Sequence, residues 1–109
     1  MKILVVCAAG ASSTFVAQRL RSAAAEAGMG WTTAASTEAT LAADAPGADL
    51  VLLGPHLSAR ADELRKVVSA HGARLEVLAE DVFTDLSGLR TLNLVRTTFR
   101  HSAPAKGTP

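Results

Sequence analysis

The hydrophobic pattern changes period several times along the chain. Lys2-Ile3-Leu4-Val5-Val6 is apolar on both faces after its first residue. That predicts a strand buried on both sides, as in a parallel sheet. The run stops at Cys7, and the small residues Ala8 to Ser12 read as a loop. The period then lengthens. Val16, Leu20, Ala23, Ala24 and Ala27 recur at helical spacing, with Gln18, Arg19, Arg21 and Glu26 on the wet side. A helix is expected to about Ala27, capped by the hydroxyl of Ser12 or Ser13 and stopped by Gly28.

Trp31 to Ser36 reads as a weaker strand, because its alanines disfavour β-structure. A short helix over Thr37 to Ala43 lacks a capping box, and Pro46-Gly47 breaks it. Asp49-Leu50-Val51-Leu52-Leu53 is the second clear strand, ended by Gly54-Pro55. A helix returns from Leu57 to about Ala70, with Leu57, Ala61, Leu64 and Val68 on one face. Asp62 and Lys66 stand at the favourable i,i+4 spacing on its wet side, and Gly72 closes it. Arg74 to Leu78 is a short last strand, and Asp81 to Ser87 is a loop. Leu89, Leu92, Val95 and Phe99 mark a final helix. The expected domain is residues 1–100, with 101–109 as a disordered tail of small residues and proline.

The order βαβαβαβα implies right-handed crossovers and a four-stranded parallel, doubly wound sheet with helices on both faces. This is an α/β fold of the flavodoxin-like or low-molecular-weight-phosphatase-like plan. In such sheets ligands bind at the carboxyl ends of the strands, near the topological switch. Cys7 stands at one of those ends.

Composition narrows the function classes. At 109 residues the chain is one domain, large enough for a core without staples. A formal net charge of +1 points neither to nucleic acid nor to an acidic membrane surface. No apolar run is long enough to span a membrane, and the short N-terminal run leads into a helix rather than a cleavage site. The single cysteine forms no internal disulfide and suits a reducing compartment, so a cytoplasmic location is expected. No metal or cofactor motif is present, and a monomer is expected.

The chemistry concentrates at Cys7. A helix beginning near Ser13 turns its positive end towards the sulfur, which favours thiolate and is expected to lower the pKa. Ala8, Ala9, Gly10 and Ala11 let the backbone curl so that its amides cradle an anion, and Ser12, Ser13 and Thr14 add hydroxyl donors. Thiolate plus phosphate cradle implies a covalent thiophosphate. A lone cysteine ending a buried strand can equally be a small hydrophobe.

The stretch Cys7-Ala8-Ala9-Gly10-Ala11-Ser12-Ser13-Thr14 resembles the phosphocysteine loop of the IIB component of sugar phosphotransferase systems. The lactose/cellobiose (chitobiose) family is the best match. Val51-Leu52-Leu53-Gly54-Pro55 resembles that family's second signature. The resemblance implies that Cys7 accepts a phosphoryl group from a phosphohistidine of a IIA partner. It would then pass the group to a sugar bound by a membrane-embedded IIC partner, which holds the chain at the inner face of the membrane. Ala8 to Thr14 would be the phosphate-binding loop, and Pro55 and His56 would face a partner. The chain departs from the family pattern at Ala11, where the family has methionine, and at His56, where it has glutamine. It also lacks the tyrosine usual after Ser58.

Two other readings compete. A low-molecular-weight tyrosine phosphatase or arsenate reductase needs C-x5-R, whose arginine clamps the phosphoryl group. Ser13 occupies that position, and neither late acid, Asp81 or Asp85, precedes a proline. A non-catalytic regulatory module of IIB type would not need the intact Cys7. His56 at a strand end and His71 at a helix end read as ordinary surface residues, and Arg60, Arg65 and Lys66 as a solvated basic face.

Overall fold

The computed structural model describes residues 1–7, 10–78 and 88–102, apart from the side chains of 10–12 and 99–102. Ala8 and Ala9, the expected loop Asp81–Ser87 and residues 103–109 of the expected tail lie outside the described residues.

Four strands, β1 (Lys2–Val6), β2 (Thr32–Ser36), β3 (Leu50–Leu53) and β4 (Arg74–Val77), form one parallel sheet in the order β2-β1-β3-β4. The chain leaves β1 towards β2 on one side and returns to β3 on the other. The switch point therefore lies between β1 and β3. Helix α1 (Gly10–Glu26) and the last helix, α4 (Leu89–Ser102), flank one face. Helix α2 (Leu41–Asp44), a 3₁₀ turn (Pro55–Arg60) and α3 (Ala61–Ser69) flank the other.

Alternation along the strands sorts the core into two layers. Ile3, Val5, Leu50 and Leu52 pack against Val16, Leu20, Leu92 and Val95. Leu4, Val6, Val51 and Leu53 pack against Leu41, Leu57, Leu64 and Val68. With both faces covered, β1 and β3 need apolar residues at nearly every position, and that is what made them legible.

Several expectations move. Helix α1 begins at Gly10, so Ser12 and Ser13 lie inside its first turn rather than capping it. Its buried stripe takes in Ala17, while Ala27 lies beyond the helix and is exposed. The helix expected from Thr37 shortens to α2. Thr37 and Thr40 instead close the preceding turn reciprocally: each backbone N–H donates to the other's Oγ1 at 3.2 Å. This is the bonding of a capping box with threonine in both roles.

The helix expected from Leu57 divides into the 3₁₀ turn and α3, since Pro55 fixes the entry and the tighter winding follows it. Leu57, Ala61, Leu64 and Val68 are all buried as expected. Asp62 accepts from Arg65 Nη1 at 3.2 Å, an i,i+3 pair in place of the expected i,i+4 pair with Lys66. In α4, Leu92 and Val95 are buried, but Leu89 is 53% exposed at the first turn. The helix continues to Ser102, two residues past the expected end of the domain.

Candidate functional site

The site is built at the carboxyl ends of β1 and β3. Cys7 follows the last residue of β1, three residues before α1 begins. Residues 3, 5 and 7 share one face by the two-residue alternation, so Cys7 belongs to the α1/α4 layer. It is 3% exposed. The start of α1 brings its first-turn amides and the positive end of its dipole to the same edge.

The expected phosphate-binding residues divide three ways. Ala8 and Ala9 lie outside the described residues. Gly10, Ala11 and Ser12 are backbone positions of the first turn of α1. Ser13 is completely buried in the helix, while Thr14 beside it is exposed. Of the loop expected over Ala8 to Ser12, residues 10–12 are therefore the start of a helix. Small residues permit this, since alanine is a strong helix former and serine fits without a large side chain to bury.

Pro55 is half-buried and His56 exposed in the 3₁₀ turn after β3, at the edge that also carries Cys7. His71 is exposed just after α3. Arg60 donates to Glu38 at 2.9 Å and to Glu63 at 3.0 Å, so the expected basic face is partly neutralised.

The thiol departs from expectation. Burial pushes the Cys7 pKa above its ordinary 9.0, whereas the helix dipole alone predicts a lowering. Taking the thiolate out of water disfavours the charged form, and this burial is the cause that acts on Cys7. At neutral pH Cys7 is a protonated thiol.

One neighbour escaped the sequence reading. Gly54 N donates to Val6 O at 2.6 Å, extending the β1–β3 ladder one step past the strands. Gly54 thereby stands beside Cys7. The signal was present in the pattern: two parallel strands ending level place the next residue of each side by side. Finding it required knowing that β1 pairs with β3.

No group of three or more potential metal-ligating side chains occurs among the described residues. The same residues hold no helix long and apolar enough to cross a membrane.

The family model described as "PTS system, Lactose/Cellobiose specific IIB subunit" matches residues 2–84. Among solved structures, one similar fold is the lactose-specific IIB component domain of the phosphoenolpyruvate:carbohydrate phosphotransferase system from Streptococcus pneumoniae. It aligns with a TM-score of 0.79 at 17% identity, over 89% of this chain and 95% of that one. A second is the cellobiose-specific phosphotransferase IIB component from Borrelia burgdorferi. Its TM-score is 0.71 at 27% identity, over 93% of each chain. At 17% identity the first likeness speaks for the fold alone. No curated protein matches the sequence significantly.

Proposed function

The chain belongs to the lactose/cellobiose-specific IIB family of the sugar phosphotransferase system, and from that membership we propose that Cys7 is its phosphoryl-carrying residue. The observation that supports this most is position. The one cysteine follows directly on the inner strand β1 at the switch point of the sheet, at the edge where α1 begins. An anion attached there meets a helix N-terminus.

The first step moves a phosphoryl group from a phosphohistidine of a IIA partner. The P–N bond breaks, an S–P bond forms, and the thiol proton goes to the departing imidazole nitrogen. A protonated thiol suits this step, because the leaving nitrogen needs a proton as its bond to phosphorus breaks. In the second step the S–P bond breaks and an O–P bond forms to a sugar hydroxyl held by a membrane IIC partner. The hydroxyl proton is released, and the sulfur leaves as thiolate and reprotonates. Positioning supplies most of the acceleration in both steps.

The amides of Ala8 to Ala11 and the groups of Ser12 and Thr14 hold the phosphoryl oxygens in this reading, the expected role of Ser13 being closed off by its burial, and Pro55 and His56 lie on the partner side. The working unit is the 1–100 domain, monomeric, acting in the cytoplasm at the inner face of the membrane through IIC. It uses no cofactor.

Ser13 favours a carrier over a phosphatase. It fills the position where C-x5-R enzymes place their arginine, and it has no exposed surface. Without that clamp, water attack on a thiophosphate is slow, and the group waits for its acceptor.

Incubation with phosphorylated IIA protein should give an iodine-labile thiophosphate that Cys7→Ser abolishes. Phosphorylation of Cys7→Ser at the normal rate would overturn the proposal. Rapid turnover of p-nitrophenyl phosphate by the wild type would favour the phosphatase instead.

A further inference from the structure

Gly54 does not need to be glycine for its backbone. Its φ of −61° and ψ of 150° are open to any residue, and the ψ lies in the extended range that a following proline favours. What distinguishes the position is space. A Cβ built on Gly54 would lie 3.0 Å from Cys7 Sγ, 3.3 Å from Cys7 Cα and 3.4 Å from Cys7 Cβ. The β1–β3 register explains this. Ile3 pairs with Leu50 and Val5 with Leu52, so the next residues in that row are Cys7 and Gly54. Leucine fills the row until it reaches the sulfur, and there the side chain is absent.

We infer that Gly54 is a positioning residue for Cys7: its missing side chain is the recess that holds the sulfur at the end of β1. The inference rests on the phosphocarrier reading for its consequence in transfer, but the contact itself does not. Gly54 is held by two constraints. Its N–H is tied to Val6 O, and Pro55 restricts it from the other side. An added methyl group therefore presses on Cys7, and the atom nearest to it is Sγ, the free end of a side chain, so the sulfur yields by a few tenths of an ångström. The α1/α4 layer to which Cys7 belongs is already filled, with Val5, Val16 and Leu78 among its buried members. The sulfur therefore moves towards the carboxyl edge and solvent.

The test compares the wild type with Gly54→Ala. Gly30→Ala serves as control, because a Cβ there meets nothing within 4 Å. Iodoacetamide alkylation of Cys7 is followed against pH. In Gly54→Ala the profile moves to lower pH, and a midpoint lower by one pH unit raises the rate near neutral pH about tenfold. Phosphoryl transfer from phosphorylated IIA falls about ten- to a hundredfold, as expected for a nucleophile displaced by a fraction of an ångström or more. Gly30→Ala leaves both unchanged.

A stability cycle separates steric pressure on the sulfur from a general loss of fold. In a Cys7→Ala background Sγ is gone, so Gly54→Ala lowers Tm less than it does in the wild type. An unchanged alkylation profile, or an equal loss of Tm in both backgrounds, would overturn the inference. If wild-type protein takes no phosphate while the profile and the cycle behave as expected, the phosphocarrier reading fails, and Gly54's role in transfer with it. The Gly54–Cys7 contact would still stand.

Discussion

Cys7, the proposed carrier residue, sits in a core environment, and its pH behaviour follows from that burial. Burial raises its pKa above 9.0 in the folded chain. The folded protein therefore holds this proton more tightly than the unfolded chain does. The stability it contributes is complete below pH 9.0 and is lost as pH rises through the folded value. Denaturant unfolding should show stability falling above that pH, and Cys7→Ala should remove this part of the fall. Alkylation should likewise be slow at neutral pH and accelerate only on the alkaline side. The sequence made Cys7 visible as a candidate but not its ionisation. Helix position can be read from a pattern, whereas desolvation depends on which elements close over the sulfur, here the layer that α1 and α4 build on β1. Ser13 shows the same limit. Spacing identified it as the missing arginine, but only the fold shows that no arginine would fit. Ser13→Arg should cost several kcal/mol by burying a charge and overfilling the first turn of α1, without creating a phosphatase. Thermal unfolding and p-nitrophenyl phosphate turnover check both parts.

At the scale of elements, α1 and α4 hold the carboxyl edge in place. Leu20 is completely buried beneath β1 and β3, and Leu20→Ala should cost about 2–5 kcal/mol in denaturant unfolding. Phe15 on the same helix is 56% exposed, with the Arg19 guanidinium 5.8 Å from its ring centre. Phe15→Ala should stay within about 0.5 kcal/mol of the wild type. Gly88, at the start of α4, has φ of +75°, and a Cβ there would collide with the backbone carbonyl of Arg19. Gly88→Ala should therefore lower Tm by separating α4 from α1, whereas Gly30→Ala should not. Strands β1 and β3 and helix α3 were legible because their apolar patterns are strong. The start of α1 and the 3₁₀ turn were not. Small residues fit loop and helix equally well, and a proline at a strand end does not say how tightly the chain winds after it.

For the whole molecule, the strand order was the decisive quantity. The βα alternation specified a parallel doubly wound sheet, and the structure has one. Alternation does not say which strands are neighbours. That β1 lies between β2 and β3 is what brings Gly54 to Cys7 and places Pro55 and His56 on the same edge. The rest of the family resemblance was carried by two short motifs that this pairing brings side by side.

The most direct measurement is to locate the phosphoryl group. The wild-type chain is phosphorylated by phosphohistidine-bearing IIA protein, digested under conditions that preserve labile phosphates, and mapped by mass spectrometry. The phosphate should reside on the peptide containing Cys7 and be lost on iodine treatment. Phosphate on a peptide carrying His56 or His71, or none on Cys7 while sugar phosphorylation proceeds, would contradict Cys7 as the carrier.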